Sequence, residues 1–143
     1  MLKTETLSKK HLNAVYDIEA YSIICPWSYS QIEKCVDDKN FIVLTDGDFV
    51  LGYGSFYMTA DEANINNIAV KKEERGKGYS KIIMEKIIVL AKEQGAKAVT
   101  LEVESKNRIA LNLYRSFGFD AEGERKNYYP DGDSAIIMWK RSL

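Results

Sequence analysis

From Tyr79 the apolar residues fall into a helical rhythm: Tyr79, Ile82, Ile83, Ile87, Leu90 and Ala91 share one face, with Lys81, Glu85 and Lys92 opposite. This spacing predicts a helix over 79–94, ended by Gly95. Upstream the rhythm is that of strands. "FIVLTDGDFVLGYGSFYM" (41–58) reads as two β-rich runs joined at Asp46-Gly47-Asp48, where Asp-Gly is a strong hairpin signal. A turn at Ala60-Asp61-Glu62 then leads into "ANINNIAV" (63–70), a third strand of the meander. Nearer the N-terminus a short strand is expected around 2–6. Next comes a helix capped by Ser8, with Leu12, Val15, Tyr16 and Ile18 on one face. "CPWS" (25–28) interrupts the pattern: Pro26 pushes Cys25 toward an extended conformation, and Ser28 can cap a second helix running through Ile32 and Val36. Beyond the long helix, "KAVTLEVE" (97–104) reads as a strand, "RIALNLYRSF" (108–117) as a helix closed by Gly118, and "AIIMWK" (135–140) as a final strand.

The order of these elements decides the fold class. Strand 63–70, helix 79–94 and strand 97–103 form a βαβ unit, which must be parallel and right-handed. The expected architecture is α/β (mixed α+β), with a central sheet antiparallel first and parallel in the middle, flanked by helices on both faces. With 143 residues and no repeat, low-complexity tract or linker, residues 1–143 are expected to form a single domain.

Composition removes several function classes. The formal charge is −1 and the 20 cationic residues are scattered, which argues against direct nucleic-acid binding. Cys25 and Cys35 lack CxxC spacing and have no histidine cluster, so neither a metal site nor a disulfide is expected. Reduced thiols and the lack of a signal peptide or membrane span point to a cytoplasmic protein. His11, the only histidine, sits between Lys10 and Leu12 and reads as a solvated helix residue. Nothing in the sequence sets an oligomeric state.

Against that background "RGKGYS" (75–80) stands out. Two glycines, two cations and a serine precede the long helix, whose first N–H groups lack internal partners and whose dipole favours anions. A flexible turn explains the same residues, so anion binding and a plain loop both stand at this point. A P-loop is excluded because Gly78, rather than Ser or Thr, follows Lys77. The dinucleotide fingerprint fails for want of a third glycine and because of the meander that precedes it.

"NIAVKKEERGKGYS" resembles the cofactor-binding core of the GNAT N-acetyltransferases, with Arg75, Gly78 and Ser80 at the positions of the family's Arg-x-x-Gly-x-Gly/Ala loop. Segments 25–28, 67–70, 101–119 and 125–138 extend the resemblance over almost the whole chain, to the RimI type, the ribosomal-protein-alanine N-acetyltransferases. The resemblance implies acetyl-CoA as cosubstrate and no metal. Arg75, Gly76, Lys77, Gly78, Tyr79 and Ser80 would cradle the pyrophosphate, Ile68, Ala69 and Val70 would pair with the pantetheine, and Asn107 would also contact coenzyme A. An N-terminal peptide of a ribosomal small-subunit protein is the implied partner.

Acetyl transfer to an amine needs a neutral nucleophile, a polarised thioester carbonyl and a proton for the departing thiolate. Strand alternation sends Thr100, Glu102 and Glu104 to one face. From the residues alone a solvated carboxylate is the better explanation of Glu102; the resemblance selects it as base, with Glu104 in reserve. Tyr114 reads as a core tyrosine or, by resemblance, as the acid that protonates the thiolate. The carbonyl would be polarised by main-chain N–H near Val70. Trp27, Tyr128 and Tyr129 are aromatic candidates for the walls of a peptide slot, and core packing is their alternative. Two rival functions remain. One is acetylation of a small amine or lysine side chain; the other is a non-catalytic acyl-CoA-binding module.

Overall fold

A computed structural model describes residues 1–143. Its elements run β1 (Leu2–Thr6), α1 (Leu12–Ser22), α2 (Tyr29–Glu33), β2 (Phe41–Asp46), β3 (Phe49–Thr59), β4 (Glu62–Val70), α3 (Tyr79–Glu93), β5 (Ala98–Glu104), α4 (Arg108–Ser116), β6 (Asp120–Arg125) and β7 (Ala135–Lys140). The strands form one mixed seven-stranded sheet in the order β1-β2-β3-β4-β5-β7-β6, flanked by helices. The mixed α/β architecture expected from the element order is therefore the observed one. Chain contacts divide into two compact units, residues 1–57 with 66–90 and residues 58–65 with 91–143.

In the first unit β1 lies antiparallel to β2, and β2 turns into β3 through Gly47 at φ +61°, a conformation that suits the Asp-Gly hairpin. Leu12, Val15 and Ile18 place one stripe of α1 against Phe41, Val43, Val50, Tyr53 and Ala69. Gly52 permits close packing here. A Cβ at that position would meet the Ala69 carbonyl oxygen at 2.7 Å and Ile83 Cδ1 at 3.1 Å. Gly52→Ala is expected to lower stability by about 1–3 kcal/mol, read as an earlier midpoint in urea unfolding. An unchanged midpoint would contradict this packing.

In the second unit the start of β4 pairs in parallel with β5 from Glu62↔Ala98 to Asn64↔Thr100. β7 lies antiparallel between β5 and β6. Leu101 and Val103 are buried whereas Glu102 is exposed and Glu104 half-buried, so the alternation anticipated in "TLEVE" is present.

Strand β6 was not anticipated: all its residues are exposed and carry no apolar alternation, and its ladder to β7 defines it. Two local expectations are corrected. Helix α2 stops at Glu33 rather than Val36: Asp37, at φ +69°, gives its N–H to the Leu7 carbonyl at 2.9 Å, which turns the chain away. His11 is buried, not solvated. Its Nδ1 accepts the Ser8 N–H at 3.0 Å, closing a capping box around the short 3-10 turn Lys9–His11, and burial pushes its pKa down.

Candidate active site

In the first unit, β4 ends at Val70 and a 3-10 turn, Lys72–Glu74, carries the chain to Arg75 and the start of α3. Gly76 and Gly78 have φ of +81° and +83°, and a Cβ on either would meet nothing within 4 Å. Glycine is thus required by backbone conformation and not by protein crowding, and the space over the loop is open. That combination exposes main-chain amides beside the N-terminus of a 15-residue helix, a cradle suited to phosphate oxygens.

The two cations of the loop are engaged elsewhere. Arg75 donates from Nε to the Val70 carbonyl and from a terminal nitrogen to Ser22 Oγ, both at 3.2 Å. Lys77 pairs with Glu74 at 2.7 Å, and this hydrogen bond raises the pKa of its ammonium. Glu74 partly offsets the charge of Lys77, whereas Arg75 bonds only neutral oxygens and keeps its charge while bracing the turn, so backbone dipoles and Arg75 both favour an anion here.

The same unit contains a buried carboxylate that periodicity did not single out. Glu19 on α1 is 1% exposed and accepts the Tyr53 hydroxyl, the Asn67 amide at 3.2 and 3.1 Å, and the Trp27 N–H at 2.9 Å. Desolvation and the Glu19 charge drive the Tyr53 pKa far upward, so its phenol is a permanent donor. Trp27 itself is half-buried and packs on the core of this unit.

The second unit brings together the remaining candidates. Glu102 is ion-paired with Arg125, whose Nε lies 3.0 Å from the carboxylate and whose guanidinium lies 6.0 Å from the Tyr128 ring centroid. Burial first, then the charges of Asp131 and Asp133, raise the Glu104 pKa. Burial also pushes Tyr129 up to about 12, with Glu104 and Glu102 adding to it. Tyr128 and Tyr129 meet edge to face at 5.1 Å in the 127–134 hairpin. Asp133 ties that hairpin to the start of α4: it accepts the Ser105 hydroxyl and the Lys106 N–H, the latter at 3.2 Å. Asn107 caps α4 by accepting the Ala110 N–H at 3.1 Å, which leaves the donor end of its amide out of the cap.

Tyr114, on α4 with its ring 6.1 Å from that of Phe119, is pushed up to about 12 by burial. This alters the acid chemistry expected of it. Even at the reference values of roughly 10 for a phenol and 8.5 for a thiol, full transfer to a free thiolate runs uphill, and burial widens the gap. A phenol of this kind acts best by hydrogen bonding to sulfur as negative charge develops, releasing its proton in step with bond cleavage.

Cys25 and Cys35 are free thiols. No helix is long and apolar enough to cross a membrane.

A sequence model of the acetyltransferase (GNAT) family matches residues 6–119. The chain belongs to the GNAT family. This GNAT chain is 32% identical over 129 residues to the [ribosomal protein bS18]-alanine N-acetyltransferase of Haemophilus influenzae, covering 87% of the chain and 88% of that relative. The crystal structure of the Escherichia coli ribosomal-protein-S18-alanine N-acetyltransferase matches it with a TM-score of 0.87 at 30% identity, over 100% of this chain and 96% of the other. Ard1 from Thermoplasma volcanium matches with a TM-score of 0.93 at 28% identity, over 99% and 98%. Neither motif nor periodicity gave Arg125 or Glu19 a role. The only sequence signal for Arg125 is its place at the head of "RKNYYPDGDS".

Proposed function

We propose that this GNAT chain transfers an acetyl group from acetyl-CoA to the N-terminal α-amine of a ribosomal small-subunit protein, with alanine of bS18 as the first candidate. The observation that carries the proposal is the open cradle at Gly76 and Gly78 in front of α3, in a chain so similar to enzymes bearing that activity. Acetyl-CoA supplies an activated thioester. Main-chain amides from Arg75 to Ser80 hold its diphosphate, Ile68, Ala69 and Val70 offer strand edges to its amides, and Asn107 offers a side-chain donor. An N–H near Val70 faces the developing oxyanion charge.

Glu102 is the proposed base. A peptide α-amine has a reference pKa of about 7.7–8.0, so near neutrality a carboxylate acting directly or through one water need supply only modest help. Arg125 orients that carboxylate and Tyr128 packs near the same pair. Tyr114 is the proposed acid, donating to sulfur as it departs. Direct attack within a ternary complex requires no covalent acyl-enzyme, so neither cysteine is asked to act. Trp27, Tyr128 and Tyr129 are proposed contacts for the incoming peptide. Residues 1–143 would act as one catalytic domain, and a ribosomal target implies action in the cytoplasm.

Glu102→Gln tests the base. Its turnover with an alanine-starting peptide is expected to fall about 10²-fold at neutral pH, with unchanged coenzyme A affinity. The deficit should shrink as pH rises through 8 to 9, because the amine then loses its proton unaided. Wild-type rates in this variant, with chemistry rate-limiting, would remove Glu102 from the mechanism. A large loss in Glu104→Gln instead would move the role to Glu104, whose raised pKa suits a proton acceptor.

A further inference from the structure

Residues 23–28 belong to neither α1 nor α2, yet they carry Trp27, the first unit's aromatic candidate for the acceptor peptide. What fixes this segment is a buried charge. Placing a carboxylate where an apolar side chain would fit is costly unless every lone pair is used, and an apolar replacement often packs as well or better. Glu19 sits one residue beyond Ile18 of the core stripe, so a fully bonded carboxylate there points to a task that leucine could not perform. Two of its donors, the Tyr53 hydroxyl from β3 and the Asn67 amide from β4, hold the carboxylate against the sheet. The third donor, the Trp27 N–H, is the group so held. The same last turn of α1 also braces the cofactor loop: Tyr21 accepts the Lys72 N–H at 3.1 Å and Ser22 accepts from Arg75.

We propose that Glu19 is a positioning residue, whose carboxylate, clamped by Tyr53 and Asn67, sets the main chain at Trp27 and thereby the wall that Trp27 presents to the acceptor peptide. The proposal rests on the reading of Trp27 as part of the acceptor site. Glutamine at position 19 would keep the size but not the charge, and it has one oxygen to offer where the carboxylate offers two. The bond to Trp27 would weaken while the core packing survives.

The test is Glu19→Gln in the full chain, read by amide hydrogen exchange and by kinetics with an alanine-starting peptide. We expect exchange at Trp27 to quicken about tenfold or more, and the peptide KM to rise about tenfold, as for loss of a charge-assisted hydrogen bond. The kcat and the coenzyme A affinity should stay within about twofold. Asn67→Ala, which removes one clamp, should move the same two readouts less far, and it serves if Glu19→Gln does not fold. Unchanged protection at Trp27 would overturn the proposal. So would proportionate losses in KM, kcat and cofactor affinity, which mark a merely structural role. A wild-type chain that acetylates no peptide would defeat the proposed function instead, and the exchange arm would still decide whether Glu19 holds Trp27.

Discussion

Tyr114→Phe is expected to lower kcat by about 10²-fold or more, while coenzyme A affinity stays within about twofold of wild type. The change removes one oxygen from a ring that packs beside Phe119 and leaves the hydrophobic contact intact. The loss should therefore fall on the chemical step. The pH dependence sharpens the test. Burial holds the phenol's pKa at about 12, so the proton is in place throughout the range from 7 to 10. No alkaline fall in kcat from Tyr114 should appear below pH 10. The stability sign agrees: the native phenol keeps its proton where an unfolded tyrosine, near 10, loses it. That contribution is full below pH 10 and fades as pH climbs from 10 toward 12. Pre-steady-state thiol release in wild type and variant measures the first effect, and an unchanged chemical step would remove Tyr114 from the acid role.

Gly78→Val carries the second large effect, on binding. A β-branched residue resists φ near +83°, so the loop must either hold a strained backbone or relax and withdraw its amides from the cradle. Strain of about 1–3 kcal/mol corresponds to a roughly tenfold to hundredfold weaker coenzyme A complex, before any clash of the new side chain with the diphosphate. Because nothing in the protein lies within 4 Å of the new Cβ, the fold itself should survive, and thermal unfolding should shift little beyond the strain. Titration calorimetry with coenzyme A gives the answer directly. Full affinity in this variant would mean that the diphosphate lies elsewhere.

Local signals carried much of this structure. Asp46-Gly47 announced the hairpin, the 3.6-residue stripe announced α3, and the two glycines marked the loop in front of it, whose positive φ only the structure reveals. What stayed hidden depends on partners far apart in the chain. Glu19 is an ordinary helix position until Tyr53 and Asn67, 34 and 48 residues away, close around it. Arg125 reaches Glu102 across 23 residues and Asp133 reaches Ser105 across 28, neither with a periodic signature. His11 looked solvated because lysines precede it; its ring is turned inward by a capping bond to Ser8. Strand β6, polar at every position except Ala121 and Gly123, exists because β7 offers it a ladder.

The most direct measurement of the central claim is transfer itself: acetyl-CoA and the chain incubated with peptides that begin with alanine, with free polyamines, and with lysine peptides blocked at the N-terminus. Thiol release and mass spectrometry locate the product. Rapid release with the alanine-starting peptide, and one acetyl group on its α-amine, is the expected result. Release no faster than background with every peptide, from folded protein that binds coenzyme A, would contradict it, as would acetylation confined to polyamines or lysine side chains.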